Sequence, residues 1–237
     1  MIDNNVIIRK CGTENKLLEF EMRQSIEKIR LGIGIPGFVK IPLWGPQSLL
    51  TWEFNDYYLE NYFEAPNTNR DFFNTPGEAK IYLRALIEES LERWGDSLPV
   101  KFEERESGVT DFNVVLYHEE EGNAEEGYVL ASAFFPNYNE KRLVIYPTLF
   151  RLSREEQVKT LVHEWGHTLG MRHYFANTRE AAWPSILFGR DNPLTIMEYG
   201  SNSILTDSDK EDLIKLYFFA WSGRLTNIGG IPIQFFS

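Results

Sequence analysis

Residues 163–173 read His-Glu-Trp-Gly-His-Thr-Leu-Gly-Met-Arg-His, with the spacing H-E-x-x-H-x-x-G-x-x-H. Imidazole is a good zinc ligand, and a catalytic zinc site uses three protein ligands with a fourth position open. On a helix His163 and His167 lie on one face and can share a metal ion. Glu164 points to a neighbouring direction, within reach of a water at the metal but not among its ligands. Gly170 can adopt the left-handed conformation that ends a helix. The chain can then turn and bring His173 back as the third ligand.

A bare pair of histidines four apart also arises on the polar edge of an ordinary helix. The longer pattern fixes three further positions, and chance matches fall with each one. Three of the four histidines in the 237-residue chain lie in this run. The remaining one, His118, reads as an ordinary surface or strand histidine.

The elements that must carry this site follow from periodicity and capping. Ser153 with Glu156 reads as a capping box ahead of the metal-binding helix, whose stripe is Val158, Leu161, Val162, Trp165 and Leu169. Residues 78–94 predict a second long helix, with Leu83, Leu86, Ile87, Leu91 and Trp94 on its apolar side. Thr206 with Asp209 predicts the start of a last helix carrying Leu213, Ile214, Leu216 and Tyr217. Strands are expected at 49–54, 100–102, 112–117, 129–135 and 143–146. Residues 14–30 place Leu18, Met22, Ile26 and Ile29 at helical spacing. Residues 31–45 are rich in glycine and proline and read as a linker or an extended leading strand. Residues 55–76 read as an irregular insertion, and 119–127 as an acidic loop. The order of elements predicts an α+β fold, with a larger N-terminal lobe and a smaller coil-rich C-terminal lobe flanking a cleft. The expected divisions are an N-terminal extension at 1–38, a catalytic domain at 39–223 and a C-terminal tail at 224–237.

Hydrophobic residues make up 43% of the chain, enough for a sizeable core, and the formal net charge is −11. That charge argues against nucleic acid and anionic membranes, which select basic surfaces. No apolar run approaches the length of a membrane span, and no secretory signal is visible at Met1–Asn5. The single cysteine, Cys11, excludes an internal disulfide framework. Glu119, Glu120, Glu121, Glu125 and Glu126 offer oxygen ligands of the kind calcium prefers. A solvated acidic loop is the alternative reading of the same run.

The elongated zinc motif resembles that of the metzincin zinc endopeptidases. The resemblance implies a twisted mixed sheet, two main helices in the N-terminal lobe and a final helix in the C-terminal lobe. It also implies a methionine-bearing turn beneath the metal, matched by Thr195-Ile196-Met197-Glu198-Tyr199, with Met197 as its methionine. Tyr199 is similar to the tyrosine that astacin-like and serralysin-like members place near the zinc, where it stabilises the oxyanion. Leu130, Ala131, Ser132 and Ala133 resemble the edge strand on which matrix-metalloproteinase-like members bind an extended substrate. Tyr174 departs from the familiar subfamilies, so the features are mixed and no single subfamily follows. The structural metal sites of the matrix-metalloproteinase-like group would need more histidines than remain. Arg9-Lys10-Cys11-Gly12 partly resembles the pro-segment in which a thiolate closes the open zinc position.

The resemblance implies one catalytic zinc on His163, His167 and His173, with Glu164 as general base and then acid. The implied partner is a peptide or protein substrate, met by a monomer. Trp183, Phe188 and Tyr199 are candidates for the wall of a substrate pocket. The alternatives are a catalytically silent zinc- or peptide-binding module on the same scaffold, and a zinc hydrolase of a non-peptide amide.

Overall fold

The structure is a computed structural model and describes residues 9–11, 40–65, 72–106, 108–125, 127–176, 185–189, 191–198 and 202–237. Its strands are β1 (Arg9–Cys11), β2 (Ile41–Trp44), β3 (Leu49–Phe54), β4 (Lys101–Glu104), β5 (Phe112–Leu116), β6 (Glu121–Asn123), β7 (Gly127–Ser132), β8 (Arg142–Ile145), β9 (Asn227–Ile228) and β10 (Ile231–Phe236). Its helices are α1 (Asp56–Glu64), α2 (Pro76–Trp94), α3 (Arg154–Thr168) and α4 (Asp207–Trp221).

The main sheet runs in the order β1-β7-β8-β5-β3-β4, with β6 paired to β7. β4, β3, β5 and β8 are mutually parallel, while β7 runs antiparallel to β8. Parallel neighbours need crossover connections. α1 and α2 supply the one between β3 and β4. This makes the α+β architecture with a mixed sheet that the sequence predicts.

Alternation along β5 and β8 divides the sheet into two faces. Val114, Leu116, Leu143 and Ile145 join the main core. Val115 and Val144 face the other way and pack with Val129 and Tyr146 in a smaller cluster. α2 and α3 cover the main-core face, and their apolar stripes are buried as periodicity predicts, except Leu91, which is half-buried. Polar groups on two buried indoles and the half-buried Tyr82 ring also join these two helices. Trp94 Nε1 donates to Val162 O at 3.0 Å, Trp165 Nε1 to Ser90 Oγ at 2.7 Å, and Tyr82 Oη to Gln157 Oε1 at 2.6 Å. Each satisfies a group that would be costly to bury alone.

The structure departs from the sequence reading in three places, one of them the acidic loop, where Glu121–Asn123 form β6 against β7. Residues 55–76 are not simply an irregular insertion, because α1 lies within them, capped by Asn55 Oδ1 accepting from Tyr58 N at 3.3 Å. Its buried face is only Leu59 and Tyr62, too short a repeat to stand out from the surrounding aromatics. Residues 231–236 also form a strand: β10 pairs in parallel with β2 and antiparallel with β9 in a second, three-stranded sheet. Ile233 faces Ile41, a pairing between opposite ends of the described chain that no local pattern can announce. The helix expected at 14–30 lies outside the described residues.

β2 runs under the exit of α3. Trp44 Nε1 donates to Thr168 O at 2.7 Å, and Trp44 N to Tyr217 Oη at 3.3 Å. Tyr217 Oη in turn donates to Leu169 O at 3.1 Å. Burial pushes the Tyr217 phenol up, so the hydroxyl keeps the proton it donates. Trp221 Nε1 donates to Trp44 O at 2.9 Å. β2, the last turn of α3 and α4 are therefore held together directly below the histidine motif.

Candidate metal centre

The local sequence sets the end of α3. Ser153 Oγ accepts from Glu156 N at its start. At its other end Gly170 has φ +89°, with Gly170 N bonding His167 O at 2.9 Å and Met171 N bonding Gly166 O at 3.0 Å. That pair of bonds is the Schellman termination, which requires a left-handed residue at this position. A side chain at Gly170 would also meet Pro42 O at 2.4 Å. Glycine is thus fixed twice, by dihedral angle and by the proximity of β2.

The turn brings the three imidazoles together. One nitrogen from each of His163, His167 and His173 lies within 4.8 Å of the others, and all three residues are buried. His163 and His167 rings meet edge to face at 4.9 Å, and His173 lies 5.2 Å from His163 and 4.7 Å from His167. Phe175 stacks on His173 and Phe135 meets His167 edge-on, giving the cluster an apolar rim.

Backbone carbonyls set two of the tautomers. His163 Nδ1 bonds Ile196 O at 2.7 Å, and His167 Nδ1 bonds Met171 O at 2.8 Å. A carbonyl only accepts, so each Nδ1 carries the proton and each Nε2 carries a lone pair. The two Nε2 atoms are 3.2 Å apart. Two lone pairs at that distance repel unless a cation lies between them, so the donor set fits a metal ion and zinc in particular. Such carbonyl partners on the non-ligating nitrogen are the usual support for metal-bound histidine.

The electrostatics favour the same state. Burial, then His173 and His163, hold the His167 pKa well below its usual value. Burial, then His163 and Arg172, lower His173 to about 2. Both rings are neutral near pH 7, the form that binds metal. Glu164 is 1% exposed and follows His163 on the same helix.

Residues 195–198 turn beneath this cluster. Glu198 N bonds Thr195 O at 3.1 Å, and Tyr174 N bonds Met197 O at 2.9 Å. Met197 is buried against Gly166, where an added Cβ would lie 2.3 Å from its sulfur. Sequence reasoning singled out Met197 but missed the backbone acceptors Ile196 and Met171. A carbonyl is common to every residue type, so no sequence signal marks them. It also noticed Asp209 only as a helix cap. In the structure Asp209 Oδ1 accepts from Thr195 Oγ1 at 2.6 Å as well.

The other expected site residues are distributed as follows. Leu130, Ala131, Ser132 and Ala133 are buried, the first three on β7, whose outer edge is taken by β1 in parallel. Cys11 is in register with Ala131. Phe188 lines a cavity of about 230 Å³ together with His173, Met197, Leu213, Leu216 and Ile231. Tyr199 and Trp183 lie outside the described residues. Among the described residues the histidines are the group that could hold a metal, and the acidic loop does not assemble one. There Glu120 pairs with Arg151, and Glu119 lies 3.6 Å from His118.

Fold and site together resemble those of the metzincin peptidases. The family model described as Matrixin, peptidase family M10, matches residues 71–183, a span ending beyond the third histidine. That match supports a metalloprotease-type function. The chain is also similar to two solved structures of myroilysin. One is 18% identical, covers 74% of this chain and 95% of that chain, and superposes with a TM-score of 0.49. The other is 17% identical, covers 78% and 93%, and has a TM-score of 0.46. No curated protein matches the chain. Among the described residues no helix is long and apolar enough to cross a membrane.

Proposed function

We propose that the chain is a zinc-dependent endopeptidase, with His163, His167 and His173 holding the metal and Glu164 carrying the proton. The observation that carries this reading is the buried triad with two Nε2 lone pairs converging at 3.2 Å. Bound zinc supplies Lewis acidity there, polarising a carbonyl and lowering the pKa of water. Glu164 accepts a proton from the attacking water and delivers it to the leaving amine. Phe135 and Phe175 exclude bulk water from the imidazoles, which strengthens charge interactions at the site. Tyr199 donates to the tetrahedral oxyanion. Met197 supports the triad from below.

An extended peptide adds to the edge of β7 through main-chain hydrogen bonds, along Leu130 to Ala133. Residues 9–11 lie on that edge. This placement supports a latent state in which β1 covers the substrate strand, with Cys11 proposed as the residue that closes the open metal position.

The test is zinc analysis and peptide cleavage on wild type and Glu164→Ala. The variant retains zinc and loses about 10²–10⁴-fold in turnover, the usual contribution of a general base. Near-normal hydrolysis by Glu164→Ala refutes the assigned role. A protein that binds zinc but cleaves no peptide in a broad library is the silent module instead.

A further inference from the structure

The start of α4 is bonded to more than its own helix. Asp209 sits three residues after the cap Thr206, and both halves of the capping box are formed. Thr206 N donates to Asp209 Oδ2 at 2.8 Å, and Asp209 N to Thr206 Oγ1 at 3.2 Å. Thr206 Oγ1 also lies 2.9 Å from Asp209 Oδ2. A capping box needs nothing else. Yet the other carboxylate oxygen, Oδ1, accepts from Thr195 Oγ1 at 2.6 Å, and Ile196 N lies 3.4 Å from Oδ2. Thr195 Oγ1 accepts in turn from Met197 N at 3.3 Å. Asn192 Nδ2 donates to Thr206 Oγ1 at 2.9 Å, which ties the turn to the same cap a second time.

The segment held this way touches two metal-binding elements. Ile196 O accepts a hydrogen bond from His163 Nδ1, and Met197 O accepts one from the amide of Tyr174, the residue after His173. A shift of this turn would move the acceptor that fixes the His163 tautomer and would loosen the backbone beside His173. Charge-assisted hydrogen bonds are roughly twice as strong as neutral ones, so a carboxylate is a firm anchor for such a turn.

We propose that Asp209 is a positioning residue for the metal centre, acting through Thr195 and Ile196 on His163 and through Met197 on the His173 segment. The proposal rests on the metallopeptidase reading. It assigns the capping carboxylate of α4 a second role, transmitting the rigidity of the C-terminal lobe to the metal ligands.

The two roles separate experimentally. Thr195→Val removes the hydroxyl that reaches Asp209 Oδ1 but leaves the capping box intact. Asp209→Asn leaves a single side-chain oxygen, which cannot serve both Thr195 and Thr206. Asp207→Ala removes an exposed acid from the same first turn of α4 without touching the turn at 195–198. Zinc affinity is read by chelator competition, and folding of the metal-free proteins by circular dichroism and thermal midpoint. Removing a partner behind a metal ligand costs roughly 10–100-fold in affinity, and that loss is expected for Thr195→Val and Asp209→Asn. Thr195→Ser restores the hydroxyl and the affinity. Asp207→Ala lowers the midpoint of the metal-free protein and leaves zinc affinity unchanged. Wild-type affinity in Thr195→Val or Asp209→Asn overturns the proposal, as does an equal loss in Asp207→Ala. If wild type takes up no zinc, the metallopeptidase reading falls and this one with it. If wild type binds zinc and Thr195→Val binds it equally, only this one falls.

Discussion

Gly166→Ala sets two local effects against each other, and the structure decides which one prevails. Gly166 lies inside α3, where alanine is favoured over glycine by about 1 kcal/mol. On helix propensity alone the substitution stabilises. The new Cβ, however, would sit 2.3 Å from Met197 Sδ, 3.1 Å from Met197 Cε and 3.3 Å from Met171 Cε. Optimal heavy-atom contacts lie at about 3.5–4.0 Å, so the Met197 sulfur must retreat by more than 1 Å. Met197 is only 4% exposed, and its thioether can retreat only by giving up its packing under α3 toward the cavity it borders. Forced overpacking of this kind costs about 1–3 kcal/mol. The expected net effect is a destabilisation of about 0–2 kcal/mol. For a chain of this size each kcal/mol corresponds to about 2–4 °C in thermal midpoint.

The displacement also reaches the metal centre, because the backbone around Met197 holds both His163 and Tyr174. Zinc affinity, measured by chelator competition, should therefore fall in parallel with the midpoint. Met197→Ala removes the clash. In that background Gly166→Ala should cost nothing or even stabilise, and the double-mutant cycle should give a coupling of about 0.5–3 kcal/mol. A higher midpoint and unchanged zinc affinity for Gly166→Ala alone would refute the claim that Met197 is packed rigidly under α3.

The metal-stripped protein should lose stability in acid. The unfolded chain protonates its histidines near pH 6.5, whereas His167 and His173 are held far lower in the fold, His173 to about 2. Each group therefore removes about 1.4 kcal/mol per pH unit below about 6.5, while its folded form stays neutral. Denaturant midpoints at pH 7.5 and 5.5 test this, and a midpoint that is flat or rises on acidification counts against buried neutral imidazoles. Cys11→Ala should raise peptide hydrolysis several-fold if the thiolate closes the metal position, and activity equal to wild type would remove the latency reading. Deleting residues 1–39 should raise it further by also clearing the β7 edge.

Much of the candidate site was legible because its signals are local. The histidine spacing, the stripe from Val158 to Leu169, the cap at Ser153 and the terminating Gly170 all follow from helical geometry within a few residues. α2 was legible for the same reason. α1 was not, because its two buried side chains are too few to impose a period on an aromatic-rich stretch. The pairing of β10 with β2 joins segments near opposite ends of the described chain, and parallel pairing leaves no mark on either segment alone.

What the sequence determined by itself is which side chains could bind a metal and which helix presents two of them. Only the tertiary structure decided how they are held. The proton-fixing partners of His163 and His167 are the carbonyls of Ile196 and Met171, groups that every residue carries and no residue type advertises. Asp209 reads in sequence as an ordinary helix cap, because its bond partner Thr195 belongs to a different turn that only folding brings alongside. Side-chain chemistry is written in residue identity, whereas the orientation of that chemistry is set by backbone groups and long-range contacts that exist only once the chain has closed on itself.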